Sequence, residues 1–313
     1  AATLSQSTGV KAKIAEWARD VGDKVTNIRN RGQTESGLLA FQHSLADRLV
    51  FSKVKEGLGM TEARVLITAA APIAPEILTF LGSLDLPIME LYGQSEGSGP
   101  TTTNRPGAIK VGTVGQAWPG SEVKLGPDGE ILTKGPNVFL GYYNNEAATA
   151  SDLVDGWLHS GDLGEFDADG FLKIIGRKKE IIITSGGKNI APKNIEAALK
   201  NLDMVSQAVV IGERRRFLTA LLTLDPDAAS LFAQANNLEG QTLHEHPKLI
   251  DYLQKEIDEK VNSLFARVEH VRNFRVLPRD FTIEDGELTP TMKIKRRIIN
   301  ENFADEIEEM YEG

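Results

Sequence analysis

The sequence predicts an α/β chain in two parts: parallel strand–helix–strand layers leading into a small antiparallel β subdomain, then a smaller α+β domain. Three observations carry that prediction. Apolar runs at residues 64–68 and 86–92 flank a helical stretch at 74–81. Gly-rich turns multiply between Gly107 and Gly176, and beyond Gly176 strand and helix patterns alternate again. A length of 313 residues suits about two domains, each with enough chain for a buried core.

From Val10 to about Leu58 the pattern is helical, with Leu38, Phe41, Leu45, Leu49 and Val54 recurring at helix-compatible spacing among charged residues. Arg64 to Thr68 reads as a buried strand, Ala74 to Leu81 after Pro72 as a helix, and Leu86 to Tyr92 as a second strand. Such a unit makes a right-handed parallel crossover, and open sheets of this kind take ligands at the carboxyl ends of their strands. Tyr92 to Gly99 would lie at such an end. The turns Gly126-Pro-Asp-Gly129 and Asp167-Ala-Asp-Gly170, flanked by alternating apolar residues, predict an antiparallel β subdomain over 107–176. A boundary near Arg177 opens the second domain, 177–313. It carries a strand at Glu180 to Thr184, a helix at Pro192 to Leu199, and strands at Gln207 to Ile211 and Phe217 to Leu224. A long helix from Pro247 follows, with Leu249, Leu253, Ile257, Val261, Leu264 and Val268 spaced by three and four.

Composition removes several function classes. Lys and Arg number 35 against 44 Asp and Glu, a net charge of −9, which argues against a nucleic-acid partner. With 41% hydrophobic and 25% charged residues the chain is globular rather than disordered. The absence of cysteine excludes disulfides, Cys-ligated zinc, iron–sulfur clusters and a catalytic thiolate, so any thioester chemistry must use a thiol brought by a substrate. No apolar run approaches the roughly 18 residues that span a bilayer. The start, Ala1-Ala-Thr-Leu-Ser5, has neither an initiator Met nor a secretory layout, so a cytoplasmic location and a piece of a longer protein are the expectations.

Among the motifs, Gly93-Gln-Ser95-Glu-Gly97 matches the G-x-S-x-G of a serine-hydrolase elbow and follows a strand, but Ser98-Gly99-Pro100 cannot begin the helix an elbow requires. The same segment offers a hydroxyl at Ser95, a carboxylate for a hard cation at Glu96, and glycines that admit a ligand to the backbone; a plain strand-ending turn fits its composition too. Trp157-Leu-His-Ser160-Gly161-Asp162 reads either as a turn into a strand or as a turn-held carboxylate able to accept from two adjacent hydroxyls, as on a ribose. Ser185-Gly-Gly-Lys-Asn189 lacks the first glycine of a P-loop. His244-Glu-His246 lacks H-E-x-x-H spacing and reads as a solvated loop, and Lys293-Ile-Lys-Arg-Arg297 as an exposed helix start continued by Ile299, Phe303, Ile307 and Met310.

In order and spacing these segments together are specific. The chain resembles the carboxyl-terminal half of a long-chain acyl-CoA synthetase of the adenylate-forming superfamily. The resemblance rests on Leu91-Tyr-Gly-Gln-Ser-Glu96, on Gly129-Glu-Ile-Leu through Gly141-Tyr142, and on Asp155-Gly-Trp-Leu-His-Ser-Gly-Asp162. It continues through Gly176-Arg-Lys-Lys-Glu180, Ser185 to Pro192 with Ile195-Glu196, and Thr289-Pro-Thr-Met-Lys293. By this resemblance residues 1–176 are the remainder of the large adenylate-forming domain and 177–313 the small mobile domain.

The resemblance implies two steps: a fatty acid and MgATP give acyl-AMP and pyrophosphate, and CoA then takes the acyl group and releases AMP. It implies Tyr92 and Gly93 at the adenine, lined also by Ala71 and Pro72, and Asp162 with Arg177 at the ribose. Ser95 would bond the α-phosphate or acyl oxygen and Glu96 would hold Mg²⁺. Lys293 would serve the acyl–phosphate junction, where an ammonium stabilises the charge that develops. Lys179 would be the hinge about which the small domain turns, withdrawing Lys293 and bringing Ser185, Gly186, Gly187, Lys188 and Asn189 to the pantetheine tunnel. ATP, Mg²⁺ and CoA are thus the expected cofactors and co-substrates, with contact at the cytoplasmic membrane face an option for so apolar a substrate.

Two departures from the family pattern stand out. Ala69-Ala-Ala-Pro72 replaces a more Gly-rich segment before the adenine site. The family's Ser/Thr/Gly-rich phosphate loop, upstream in its members, has no counterpart here, so these residues alone are expected to show little ligase activity. A carrier-protein acceptor in place of CoA, and a non-catalytic fragment keeping part of the nucleotide site, stay open alternatives.

Overall fold

The computed structural model describes residues 9–312, in two units that meet between Ile175 and Gly176. The amino-terminal residues read above for a targeting layout lie outside the described residues. Mixed α/β architecture with several separate sheets is found.

The first unit opens with helix α1 (Val10–Arg29), then α2 (Gly37–Ala46), a π-helical turn (Asp47–Phe51) and α3 (Ser52–Gly57). Their shared core is Ala18, Val21, Val25, Ala46 and Phe51. The helical spacing of Leu38, Phe41, Leu45 and Leu49 is real, but these four side chains face outward at 70, 67, 40 and 41% exposure; the buried stripe runs instead through Ala46 and Phe51. Periodicity gives the helix and leaves open which apolar face meets the core.

Strand β1 (Leu66–Thr68), helix α4 (Pro75–Ser83) and strand β2 (Ile88–Gln94) form the parallel crossover expected from the sequence, with Leu66 opposite Ile88 and Thr68 opposite Glu90. Pro75 starts α4 in the first turn, where a missing N–H costs nothing. Strands β3 (Gly99–Thr103) and β4 (Gln116–Ala117) extend this sheet antiparallel in the order β1-β2-β3-β4. Gln116 and Ala117, read above as part of the β subdomain, therefore belong to the first sheet.

The second sheet of this unit runs β5 (Glu122–Leu125), β6 (Glu130–Lys134), β8 (Trp157–Phe166) and β7 (Leu153–Val154), with β9 (Leu172–Arg177) also on β8. A short helix, α5 (Glu146–Asp152), capped by the Asn145 side chain, precedes β7. Residues 157–162 are not a turn into a strand: they lie within the ten-residue β8, where Gly161 has φ +71° and the β6–β8 register shifts between Glu130 and Leu132. A bulge of this kind adds twist and re-aims the side chain that follows it, here Asp162.

In the second unit, β12 (Val205–Ile211) pairs antiparallel with β13 (Leu218–Leu224), and β13 pairs parallel with β14 (Val271–Val276). Both faces of this sheet are covered, and its middle strand β13 is buried along nearly its whole length. Ala208, Val210, Leu218, Ala220 and Leu222 meet Ile195 and Leu199 of helix α6 (Pro192–Leu199) and Leu249 and Leu253 of α8 (Pro247–Glu256). On the opposite face Val209, Ile211 and Leu221 meet Ile299 of α9 (Arg296–Asn302), Ile307 of α10 (Ala304–Glu309), and Phe303 and Met310, which cap the ends of these terminal helices. The strand expected at Glu180 to Thr184 shrinks to β10 (Ile182–Ile183), paired with β11 (Asn189–Ile190), because Lys178–Glu180 coils into a 3-10 turn. The helix from Pro247 gives way at Ile257 to a π-helical turn and then a 3-10 turn, leaving Leu264 and Val268 61% and 43% exposed. Helix α7 (Pro226–Asn236) and β14 had no counterpart in the sequence reading.

Two buried carboxylates lock the second unit. Glu196 accepts from the Val210 amide at 2.8 Å and pairs with Arg296, whose guanidinium also donates to the Val210 carbonyl. Glu287, fully buried, accepts both arms of Arg279 at 2.8 and 2.9 Å, the Thr282 amide and the Asn302 amide. Burial opposes its charge, but Arg279, Thr282 and Asn302 outweigh it and hold the carboxyl below its ordinary value. A depressed carboxyl stabilises the fold above the unfolded pKa, and that contribution is lost as the pH falls through the folded value. Glu287→Ala is expected to cost about 2 kcal/mol at neutral pH in chemical denaturation. The difference from the unsubstituted chain should shrink as the pH drops below the ordinary carboxylate range.

Candidate functional site

The site grows from the carboxyl end of β2. Tyr92, half-buried near that end, donates its hydroxyl to Asp162 Oδ2 at 2.7 Å, joining the parallel layer to the antiparallel sheet. Asp162 is 7% exposed, and its amide donates to Ser160 Oγ at 3.1 Å. Behind it Glu130, also buried, accepts from the Gly161 amide at 2.8 Å and lies 3.2 Å from His159 Nδ1. The bulge that aims Asp162 is thereby fixed from below.

Gly93 is needed for a steric reason. A Cβ there would lie 1.8 Å from the Gly99 carbonyl oxygen and 3.0 Å from Pro100 Cα, backbone atoms that cannot swing away. Only glycine lets β2 and β3 close at this point, where their register shifts. After Gln94 the chain forms a single 3-10 turn, Ser95–Gly97, and Ser98 at φ +55° returns it directly into β3. No helix follows, so Ser95 is not held as a hydrolase elbow holds its serine.

Ser95 is exposed, and its hydroxyl bonds to no described residue. Glu96 Oε1 accepts from the Tyr142 hydroxyl at 2.9 Å, and that hydroxyl is also 3.0 Å from Asp152 Oδ2. Burial and these two carboxylates raise the pKa of the Tyr142 phenol, which stays protonated as a donor. Two more bonds bind the turn to the same stretch: Phe139 N–H to the Glu96 carbonyl at 2.8 Å, and Asn137 Nδ2 to the Gly97 carbonyl at 2.8 Å. Mg²⁺ takes one or two carboxylates and keeps the rest of its shell as phosphate oxygens and water. Glu96, with Oε2 bonded to no described residue, suits that demand. Among the described residues no group of three or more Asp, Glu or His could hold a metal by itself.

Two further features border β2. Burial pushes the Glu90 carboxyl up to about 7, opposed by the Gly112 amide that donates to Oε2 at 2.8 Å. Ala71 and Pro72 lie exposed in the loop after β1, and Ala70 beside them takes φ +74°. That left-handed conformation, which favours glycine, is adopted here where the family pattern is richer in glycine.

The remaining sequence candidates are exposed, on turns or at strand ends. Arg177 ends β9, and Lys179 sits on the 3-10 turn that follows. Ser185, Gly186, Gly187 and Lys188 lie in the β10–β11 connection and Asn189 begins β11; the connection is closed by Thr184 N–H to the Lys188 carbonyl at 3.0 Å and tied to the next turn by Ser185 N–H to the Arg215 carbonyl at 2.9 Å. Lys293 occupies a turn held by Thr289 N–H to its carbonyl at 2.8 Å and by its own N–H to Thr289 Oγ1 at 3.0 Å; its ammonium pairs with no described residue. His246 caps α8, its Nδ1 accepting from the Lys248 amide at 3.2 Å. Glu130 and Tyr142, which support Asp162 and Glu96, were not singled out from the sequence as site residues. Their only signal was membership of the Gly129-Glu130 and Gly141-Tyr142 elements.

Comparison with known proteins shows what the chain is similar to. Residues 33–143 match the family model for the AMP-binding enzyme, and residues 179–313 that for the AMP-binding enzyme C-terminal domain. The chain is 42% identical over 278 residues to the long-chain-fatty-acid–CoA ligase FadD15 of Mycobacterium bovis, covering 88% of this chain and 46% of that protein. It is 39% identical over 314 residues to the putative fatty-acid–CoA ligase fadD11 of Mycobacterium tuberculosis, covering 99% of this chain and 55% of that one. The chain thus spans about half the length of the curated relatives it matches. In fold it is similar to the A domain of carboxylic acid reductase from Segniliparus rugosus, solved with AMP and a co-purified carboxylic acid, at TM-score 0.64 and 22% identity over 96% of this chain and 46% of that one.

Gly93→Ala is expected to part β2 from β3 and cost about 1–3 kcal/mol of stability, read from denaturant unfolding. An unchanged midpoint would mean that the strands do not close there in solution.

Proposed function

Because the chain belongs to the family of AMP-binding enzymes, we propose that it is part of an AMP-forming long-chain fatty-acid–CoA ligase. The activity couples ATP to a long-chain fatty acid, giving acyl-AMP and pyrophosphate, and then passes the acyl group to CoA, giving acyl-CoA and AMP. The observation that carries this reading is the Tyr92–Asp162 hydrogen bond, 2.7 Å long, beside the turn that presents Ser95 and Glu96. An aromatic ring and a held carboxylate, with a hydroxyl and a second carboxylate on the turn that follows β2, supply the groups a nucleotide needs at the strand end where such sheets take ligands.

In this reading Tyr92 packs on adenine across the bare backbone of Gly93, with Ala71 and Pro72 at its edge. Asp162 accepts from the ribose hydroxyls, with Arg177 as its companion. Ser95 donates to the α-phosphate or acyl oxygen, and Glu96 would hold Mg²⁺. When bound, the metal neutralises phosphate charge that would otherwise repel the incoming carboxylate. Lys293 supplies an ammonium with no competing partner among the described residues, suited to the negative charge that builds as the fatty-acid carboxylate attacks the α-phosphate. The glycines at 186 and 187 leave the β10–β11 connection open to a pantetheine arm. Lys179 serves as the pivot by which one small domain provides for both half-reactions, a gating step of the hinge type. The thiol for the thioester comes from CoA, in keeping with a sequence that has no cysteine.

The roles separate in the half-reactions. In the intact enzyme, Lys293→Ala is expected to slow acyl-AMP formation by about 100-fold or more, as loss of one charge-stabilising group does. Thioester formation from preformed acyl-AMP should change far less. Equal loss in both half-reactions would refute the assignment of Lys293, and release of acyl-AMP with no use of CoA would refute the choice of acceptor.

A further inference from the structure

The Gly141-Tyr142 element has no part in the reaction as described, yet its contacts converge on the turn that carries Glu96. Three hydrogen bonds run from residues 137–142 to that turn: Asn137 to the Gly97 carbonyl, Phe139 to the Glu96 carbonyl, and the Tyr142 hydroxyl to Glu96 Oε1. The first two fix the backbone, and the third alone fixes the carboxylate.

Tyr142 is in turn held from three sides. Its N–H donates to Thr149 Oγ1 at 2.9 Å, its hydroxyl reaches Asp152 Oδ2 at 3.0 Å, and its ring meets Phe139 edge-on at 4.8 Å between centroids. Thr149 and Asp152 both belong to α5, so the phenol is placed by a helix rather than by a free loop. A Glu side chain has three rotatable bonds, and without an anchor an exposed one samples many rotamers. Anchored at Oε1, it presents one defined oxygen, Oε2, which no described residue occupies.

We propose that Tyr142 is a positioning residue for the cation-binding carboxylate: its phenol pins Glu96 through Oε1 and leaves Oε2 for the phosphate-bound Mg²⁺. The inference rests on the reading above, in which Glu96 holds that ion. Partners that orient a ligating carboxylate support metal affinity, and their loss weakens binding about 10–100-fold.

The test measures binding rather than turnover. ATP is titrated by calorimetry into the intact protein with and without Mg²⁺, and the gain in affinity conferred by the metal is compared among variants. Tyr142→Phe, which removes one oxygen and keeps the ring, is expected to reduce the gain about tenfold or more. Affinity for metal-free ATP and the thermal midpoint should stay at their starting values. Glu96→Gln should lose the gain as well, and the double variant should lose no more than Glu96→Gln alone. Asp152→Asn keeps the volume of the anchor and commits the single phenol proton to Glu96, so it should preserve the gain. A loss of gain in Glu96→Gln but not in Tyr142→Phe would overturn the proposal and leave the role of Glu96 standing. A tenfold loss in Asp152→Asn would assign the effect to the acidic pair and overturn it too. A gain unchanged in Glu96→Gln would overturn the reading of Glu96, and the proposal with it.

Discussion

The hydrogen bond from Tyr92 to Asp162 is the contact on which the site depends. It joins two sheets built on different principles: a parallel crossover, whose strand ends open onto ligand space, and an antiparallel sheet, whose β8 carries Asp162 past a bulge. Neither residue alone makes a site. A tyrosine near a strand end is commonplace, and a carboxylate 7% exposed needs hydrogen-bond partners. Brought to 2.7 Å, each accounts for the position of the other.

The side chains that suit a ligand are placed by others that do not touch one. Glu130 holds the Gly161 amide and so aims Asp162, while Tyr142 holds Glu96. Both supporting residues come from the stretch between residues 129 and 142. Gly93 adds a constraint of another kind, since no side chain fits between β2 and β3 there. Preorganisation by rigid neighbours lets a few polar groups act without paying to reorient when a ligand arrives.

Elements with strong local signals were legible in the sequence. Pro192 to Leu199 folds as the helix expected there, and the parallel crossover of β1, α4 and β2 follows the apolar runs around Pro72 and Pro75. Elements defined by distant partners were not. Strand β14, Val271–Val276, carries two arginines and an asparagine and becomes a strand by pairing with β13, about fifty residues earlier. The outward face of Leu38 and Phe41 was equally hidden, because the moment of a helix does not say what lies beside it. In the site, motif order brought Tyr92, Ser95, Glu96 and Asp162 into view. The supports at Glu130 and Tyr142 stayed out of view because a hydrogen bond across 31 or 46 residues leaves no periodicity.

Nucleotide recognition by the Tyr92–Asp162 pair is tested by AMP binding to the intact protein. AMP and its 2′,3′-dideoxy analogue are titrated by calorimetry into the unsubstituted protein and into Asp162→Asn. AMP should bind saturably, and binding should weaken about tenfold either on loss of the ribose hydroxyls or in Asp162→Asn, as for hydrogen bonds to a carboxylate. The two losses should not add, because they remove the same contact. Absence of saturable AMP binding, or binding indifferent to both changes, would contradict nucleotide recognition by this pair.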